Sequence, residues 1–108
     1  MQRATKPMAD LTIVYWRDIP AQVIVKRGRQ AAKRQLDVRF EKAIDRAAMR
    51  AGLRDSDAYL GEWRRADPIP VGEDLEAEAA AAAARLEAAY DEARLTALVQ
   101  NGGQTSRN

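Results

Sequence analysis

Two tryptophans with arginine neighbours are the residues best suited to contact another molecule: Trp16 with Arg17, and Trp63 with Arg64 and Arg65. An arginine guanidinium over an aromatic ring can bind anions, nucleic-acid bases or partner side chains. The favoured interpretation is a small core, in which both tryptophans are buried anchors and the arginines cover the rim. Trp63 is the better candidate for an exposed contact, because it shortly precedes a proline-rich segment where a concave surface can form.

Residues for catalysis or metal binding are scarce. The chain has no Cys and no His, which excludes disulfides, thiolate metal sites and histidine acid–base chemistry. The spacing of its carboxylates predicts no shared cleft, and turn or cap positions account for Asp18 and Asp57. No glycine pattern that cradles phosphate follows a predicted strand. We therefore predict no catalytic residue, no metal ligand and no cofactor.

Charge is distributed unevenly along the 108 residues, although the net charge is only +2. Residues 1–54 carry 13 basic and 5 acidic side chains, and residues 55–108 carry 5 and 11. The basic and acidic halves either neutralise each other by packing or face partners of opposite charge, and the sequence leaves both open.

The basic residues concentrate between residues 26 and 50. They are Lys26, Arg27, Arg29, Lys33, Arg34, Arg39, Lys42, Arg46 and Arg50. Their number resembles a nucleic-acid footprint, but Asp37, Glu41 and Asp45 lie among them and the spacing indicates no arrangement that fits a groove. A solvated face, or a surface that docks the acidic half, is the favoured interpretation over a nucleic-acid site.

The first structural element is a predicted β-hairpin. Apolar runs at residues 11–16 and 23–25 flank a turn at residues 17–20, where Pro20 fixes φ. The first run is apolar at nearly every position, so we expect this strand to be covered on both faces. Residues 30–36 are expected to form a third strand at the sheet edge, although the start of a helix also fits them.

Residues 38–51 form the clearest predicted helix, with Asp37 as its N-cap and Gly52 following its end. Val38 and Met49 lie opposite a stripe that we expect to pack on the sheet. The stripe consists of Phe40, Ile44, Ala47, Ala48 and Ala51.

A shorter helix is predicted next, capped by Asp55 or Ser56 and ending near Ala66. Its apolar face carries Tyr59, Leu60 and Trp63. Residues 67–72 contain two prolines and are expected to form an extended linker.

The alanine-rich residues 73–90 predict a long helix with acidic residues in its first turns. Its apolar seam is Leu75, Ala79, Ala82, Leu86 and Ala89. Asp91 is expected to cap a final helix that carries Leu95, Leu98 and Val99 on one face.

These patterns predict an α+β fold with a small antiparallel sheet of two or three strands covered by helices. The expected organisation is a disordered lead (1–10), an α+β domain (11–72), an acidic helical extension (73–100) and a disordered tail (101–108). With no apolar leader and no membrane-spanning window, a cytoplasmic protein without membrane contact is expected.

Several sequence blocks carry a family resemblance. They are VYWRDIPAQVIVK, RF at residues 39–40, AIDRAAMRAGL from Ala43, SDAYL from Ser56 and EWRRADP from Glu62. Over residues 12–71 the chain resembles the bacterial virulence factor domain family, named after conserved virulence factor C, where such a domain ends a longer chain. The resemblance supplies no catalytic residues. Short members are encoded near folate- and corrinoid-linked methyl-transfer enzymes, which implies an accessory role in one-carbon metabolism.

The expected function is a non-catalytic protein-interaction or accessory module. Its expected partner contacts are Trp63, Arg64, Arg65, Met49 and Arg17. One alternative is a nucleic-acid binder that uses the basic half, and another is a small enzyme that acts on an anionic substrate. The partner's identity, the oligomeric state, including a helix-mediated homodimer, and the position of the acidic helix stay open.

Overall fold

Five antiparallel strands and four helices make up the computed structural model, which describes residues 9–53 and 57–105. The strands are β1 (Ala9–Trp16), β2 (Ile19–Arg27), β3 (Gln30–Gln35), β4 (Trp63–Arg65) and β5 (Ile69–Val71). The helices are α1 (Val38–Arg50), α2 (Asp57–Gly61), α3 (Leu75–Ala89) and α4 (Glu92–Gln100). The α+β class is confirmed, but the sheet has five strands in the described residues instead of two or three.

The two additional strands share one edge of β1. The sheet order is β3-β2-β1, after which β4 pairs with the C-terminal part of β1 and β5 with its N-terminal part. The prediction that Trp63 lies on a helix was therefore wrong. Residues 69–71 are extended as predicted, but they form a strand of the sheet instead of a linker. Each of these strands has only three residues, which is too short for alternation to reveal, and the free edge of β1 determines their conformation.

The hairpin turn is tighter than predicted. Ile19 and Pro20 already belong to β2 and pair with Trp16 and Tyr15, so Arg17 and Asp18 alone form the turn. Arg17 has a φ of 54°, in the left-handed region that non-glycine residues seldom occupy.

Alternating residues of β1 and β2 are shielded from solvent at the centre of the sheet. Leu11 pairs with Val25, and both belong to the main core together with residues of α3. Val14 and Ile24 are also buried, although they occupy the alternate positions and lie outside that core. The expectation that β1 is covered on both faces holds only in part, because Asp10 is exposed and Thr12 is half-buried on the face of Val14.

Helix α1 begins and ends close to the predicted residues, with Gly52 at a φ of 74° after its end. Asp37 occupies the N-cap position, but its side chain forms no capping hydrogen bond and pairs with Arg39 instead. The buried stripe is Phe40, Ala43, Ile44, Ala47 and Ala48, so Ala43 takes the place predicted for the half-buried Ala51. This stripe packs against α4 as well as β2, whereas the sheet alone was expected.

Helix α2 ends at Gly61, well before the predicted end near Ala66. The backbone N–H of Arg17 donates to the carbonyl of Glu62, so pairing with the hairpin takes over directly after the helix. The predicted caps Asp55 and Ser56 lie outside the described residues.

Asp91 caps α4 as expected, accepting a hydrogen bond from the Arg94 N–H. Helix α3 begins at Leu75 instead of Glu73, and Asp74 is its N-cap, accepting from the Ala77 N–H. Helix α3 packs on β2 and β3 and buries the small residues Ala79, Ala82 and Ala83. The acidic helix therefore packs on the basic half of the same chain. None of the described helices is long and apolar enough to cross a membrane.

Both ends of the described chain contribute to the fold. Strand β1 begins at Ala9, inside the expected lead, where it pairs with Val71. In the expected tail, Gly103 is buried and its carbonyl accepts a hydrogen bond from the Asp18 N–H, 2.8 Å away. The composition of this glycine-rich, polar segment predicts disorder, but its backbone accepts a hydrogen bond from the hairpin turn. Residues 1–8 of the lead and 106–108 of the tail lie outside the described ranges.

Candidate partner-binding surface

The two tryptophans face each other across β1 and β4 but have different environments. Trp16 pairs in register with Trp63. Trp16 is 0% exposed and its Nε1 donates to the Tyr59 carbonyl at 2.9 Å, whereas Trp63 is 37% exposed. Trp16 is thus a core anchor, and Trp63 is the tryptophan accessible to a partner.

Tyr59 connects these two rings. Its ring centroid lies 5.5 Å from that of Trp16 and 6.2 Å from that of Trp63, the second pair meeting edge to face. Burial raises the pKa of Tyr59, the negative charges of Asp45 and Glu41 raise it further, and a hydrogen bond with the Trp63 side chain lowers it in part. The phenol therefore lies within the field of two carboxylates.

A cavity of about 220 Å³ opens beside these aromatic rings. Its lining consists of Ala21, Gln35, Leu36, Glu41, Ile44, Asp45, Tyr59 and Trp63. We call it the acidic–aromatic cavity, after Glu41, Asp45, Tyr59 and Trp63. Carboxylates and aromatic faces both attract cations, so the cavity is suited to a positively charged side chain.

Met49 lies beside this cavity without lining it. It follows Asp45 by four residues on α1, which places both on the same side of the helix, and it is 54% exposed. Leu60 of α2 is a second large exposed apolar side chain in this part of the chain. The apolar area available to a partner therefore extends beyond the cavity itself.

Arg17 is engaged within the fold. Its Nη1 donates to the Gly102 carbonyl at 3.0 Å, its guanidinium lies over the Trp16 ring, and its side chain is only 17% exposed. Its Nε lies 3.3 Å from Glu62 Oε1 as an ion pair without an aligned hydrogen bond. These contacts hold the left-handed turn residue in place.

Arg64 supports the same turn. Its Nε donates to the Arg17 carbonyl at 3.0 Å, its Nη2 lies 3.2 Å from Asp18 Oδ1, and its guanidinium lies over the Tyr15 ring. Desolvation alone would raise the pKa of Asp18, but hydrogen bonds from Thr105 and Arg64 outweigh it, and the pKa lies below its ordinary value. Arg64 is thus partly exposed but already paired.

Arg65 stands on the other side of Trp63 from the carboxylates. It pairs in register with Val14 and is exposed. A shallow hollow lined by Val14, Gln22, Trp63, Arg64 and Arg65 lies there. Trp63 therefore separates an acidic cavity from a basic hollow.

A comparison with protein families identifies the chain's relatives. The sequence model of the family described as Virulence factor matches residues 14–99, about four-fifths of the chain. The chain belongs to the virulence factor family. The match confirms the resemblance and extends it beyond residue 71, through α3 and all but the last residue of α4. No curated protein and no solved structure matches the chain.

Of the predicted contact residues, the structure brings four of five together in this virulence factor chain. Trp63, Arg64 and Arg65 form β4, and Arg17 lies beside them through Arg64. Glu41, Asp45 and Tyr59 were missed as site residues. The signal was the spacing of four between the two carboxylates, but their position opposite Trp63 depends on the pairing of β4 with β1.

The basic residues of α1 lie on a different flank. Arg39, Arg46 and Arg50 line a groove between α1 and α4, which the sequence spacing had not indicated. In the part of the chain that the structure describes, no group of three or more acidic residues is arranged to hold a metal ion.

Proposed function

We propose that this chain is a non-catalytic protein-interaction module that binds a partner protein through the surface around Trp63. The observation that carries the proposal is the acidic–aromatic cavity, where an exposed tryptophan, a tyrosine and two carboxylates surround one opening.

The size of the cavity favours a single side chain over a whole small molecule. Its volume of about 220 Å³ lies below the roughly 300–1,000 Å³ of ordinary ligand pockets. A lysine or arginine side chain would place its charge near Glu41 and Asp45 and its aliphatic stem on Trp63. The proposed partner therefore presents a basic side chain flanked by apolar residues that cover Met49.

Arg65 supplies a second element of recognition. Because it lies across Trp63 from the carboxylates, it favours an acidic residue in the partner beside the basic one. A surface with an acidic and a basic region determines the orientation of the bound partner segment, because a reversed segment would place like charges together.

For the partner itself, the family resemblance supports an enzyme of folate- or corrinoid-linked methyl transfer in the bacterial cytoplasm. In this role the module would be an accessory subunit that does no chemistry of its own.

The test is affinity purification of the tagged chain from its native cells, with and without nuclease, followed by titration of the purified partner. Trp63→Ala and Glu41→Gln/Asp45→Asn are expected to weaken partner binding about tenfold or more, as for central interface residues. Ile69→Ala is the matched control, because Ile69 is exposed on β5, which pairs with the other end of β1, and it does not line the cavity.

Two results would contradict the proposal. If the retained material were nucleic acid that disappears with nuclease, the basic surface would be the functional one. If a defined partner bound all three variants equally, its contacts would lie away from Trp63.

A further inference from the structure

A second groove, of about 310 Å³, lies between α1 and α4 on the opposite flank of α1 from the acidic–aromatic cavity. Arg46 and Arg50 contribute from α1, and Thr96, Val99 and Gln100 from α4. We call it the α1–α4 groove. It shares no lining residue with the acidic–aromatic cavity.

The arginines of this groove differ in how they are engaged. Arg39 donates to the carbonyls of Glu87 and Tyr90, so much of its hydrogen-bonding capacity is used. The guanidinium groups of Arg46 and Arg50 make no hydrogen bond or ion pair with any described residue. Two adjacent guanidinium groups are thus available at one wall of the groove.

The charge balance and donors of the groove favour an anion. Glu92 carries the only carboxylate among its described lining residues, against three guanidinium groups. The Thr96 hydroxyl and the Gln100 amide add neutral hydrogen-bond donors on the opposite wall. Guanidinium groups bind carboxylate and phosphate with paired hydrogen bonds.

The floor of the groove is apolar, because Ala43, Leu95 and Val99 lie between the charged walls. Ala43 and Leu95 are almost fully buried, so the half-buried Val99 supplies most of the apolar floor that a ligand can reach. An inorganic ion would leave that surface uncovered. An anion with an apolar body would cover it, and the groove volume reaches the lower end of small-ligand sites.

We infer that the α1–α4 groove binds a small organic anion, whose phosphate or carboxylate pairs with Arg46 and Arg50 and whose apolar body lies on Leu95 and Val99. This site is independent of the protein-binding surface around Trp63.

The test is titration of the full chain with phenyl phosphate, inorganic phosphate and benzyl alcohol, followed by NMR chemical shifts. Phenyl phosphate is expected to bind at least about tenfold more tightly than either of the other probes, because only it supplies both the charge and the ring. The shifts are expected at Thr96, Val99 and Gln100.

Matched variants separate this site from general attraction of anions. Arg46→Gln/Arg50→Gln is expected to weaken phenyl phosphate binding about tenfold or more, whereas Lys33→Gln/Arg34→Gln removes the same charge from β3 and is expected to change it less than about twofold. All four positions are exposed, and thermal unfolding checks that both variants fold.

The inference is overturned if phenyl phosphate does not bind, if it binds no more tightly than inorganic phosphate, or if both double variants weaken it equally. Trp63→Ala is expected to leave phenyl phosphate binding unchanged, so failure here is distinguishable from failure of the proposed protein-binding function.

Discussion

The two flanks of α1 have opposite chemistry although they belong to one helix of 13 residues. On one flank, Glu41 and Asp45 face the aromatic rings of the acidic–aromatic cavity. On the other, Arg46 and Arg50 line the α1–α4 groove. Each pair is spaced by four residues, which keeps both members on the same side of the helix.

This difference shows that the net charge of a helix does not determine the charge of each of its flanks. Helix α1 carries four basic and two acidic residues, so its net charge is +2 although one of its flanks is acidic. The buried stripe orients the helix, so that carboxylates meet aromatic residues from β4 and α2 while guanidinium groups meet polar residues from α4. Ligand preference is therefore set by the neighbouring element on each flank.

The largest effect on stability is expected from truncating Phe40, which packs α1 into the core. Phe40 is 1% exposed, and its ring meets Tyr90 edge to face. Phe40→Ala is expected to lower the free energy of unfolding by about 3–5 kcal/mol, since it opens a cavity in the core. Urea unfolding measures this, and Val38→Ala, at an exposed position of the same helix, is expected to change it by about 0.5 kcal/mol or less. Similar losses in both variants would contradict the assignment.

Reversing the charge of one flank tests whether the flanks act separately. Glu41→Lys/Asp45→Lys is expected to weaken binding of N-acetyl-arginine amide at the acidic–aromatic cavity by about tenfold or more, because attraction becomes repulsion. Binding of phenyl phosphate in the α1–α4 groove is expected to change less than about threefold, since the charges lie across the helix and are screened. NMR titration follows both probes. Comparable changes for both would show that the two flanks are coupled.

A smaller loss of stability is expected from a substitution at Gly52, which follows the end of α1. Gly52→Ala is expected to cost about 1–2 kcal/mol, because Gly52 has a φ of 74° and an added Cβ would have open space around it. The substitution therefore tests only the backbone conformation at residue 52. Gly61→Ala is the control, since its Cβ would also meet open space and its φ is not in the left-handed region. Thermal unfolding compares the two, and equal destabilisation would contradict this explanation.

The smallest expected effect is a pH dependence confined to the acidic flank. Because the pKa of Tyr59 is raised in the folded chain, stability from the neutral phenol is fully present below pH 10 and is lost as pH rises through the folded pKa. Glu41→Gln/Asp45→Asn is expected to lower the pKa of Tyr59, and Arg46→Gln/Arg50→Gln to leave it unchanged. Titration of Tyr59 by NMR measures both. A shift in the arginine variant alone would reverse the assignment of the flanks.

Local sequence patterns correctly predicted the elements whose conformation depends on neighbouring residues. The hairpin, the bounds of α1 and most of its buried stripe follow from β-branched runs, helical spacing and a terminal glycine. The same reasoning favoured two buried tryptophans, but it named Trp63 as the better candidate for exposure because a proline-rich segment follows it.

Features that depend on distant pairing were missed. Trp63 was placed on a helix because its spacing from Tyr59 is helical, but β1 captures it as a strand residue. The spacing of four residues within each pair separates Glu41 and Asp45 from Arg46 and Arg50 on the helix. From the sequence, these charges were nevertheless interpreted as one mixed cluster. The aromatic and polar neighbours that distinguish the flanks come from α2, β4 and α4.

The Arg17–Asp18 turn has a consequence for the order of folding during synthesis. The hairpin is local and can align its strands early, but the Thr105 N–H that binds Asp18 lies 87 residues further along the chain, 2.6 Å from Oδ2 in the folded state. The Arg17 side chain likewise cannot donate its hydrogen bond to the Gly102 carbonyl until that residue has been synthesised. This early turn is therefore among the last parts of the described chain to complete its native contacts, and a nascent chain that stops before residue 102 lacks the contacts from Gly102 and Thr105.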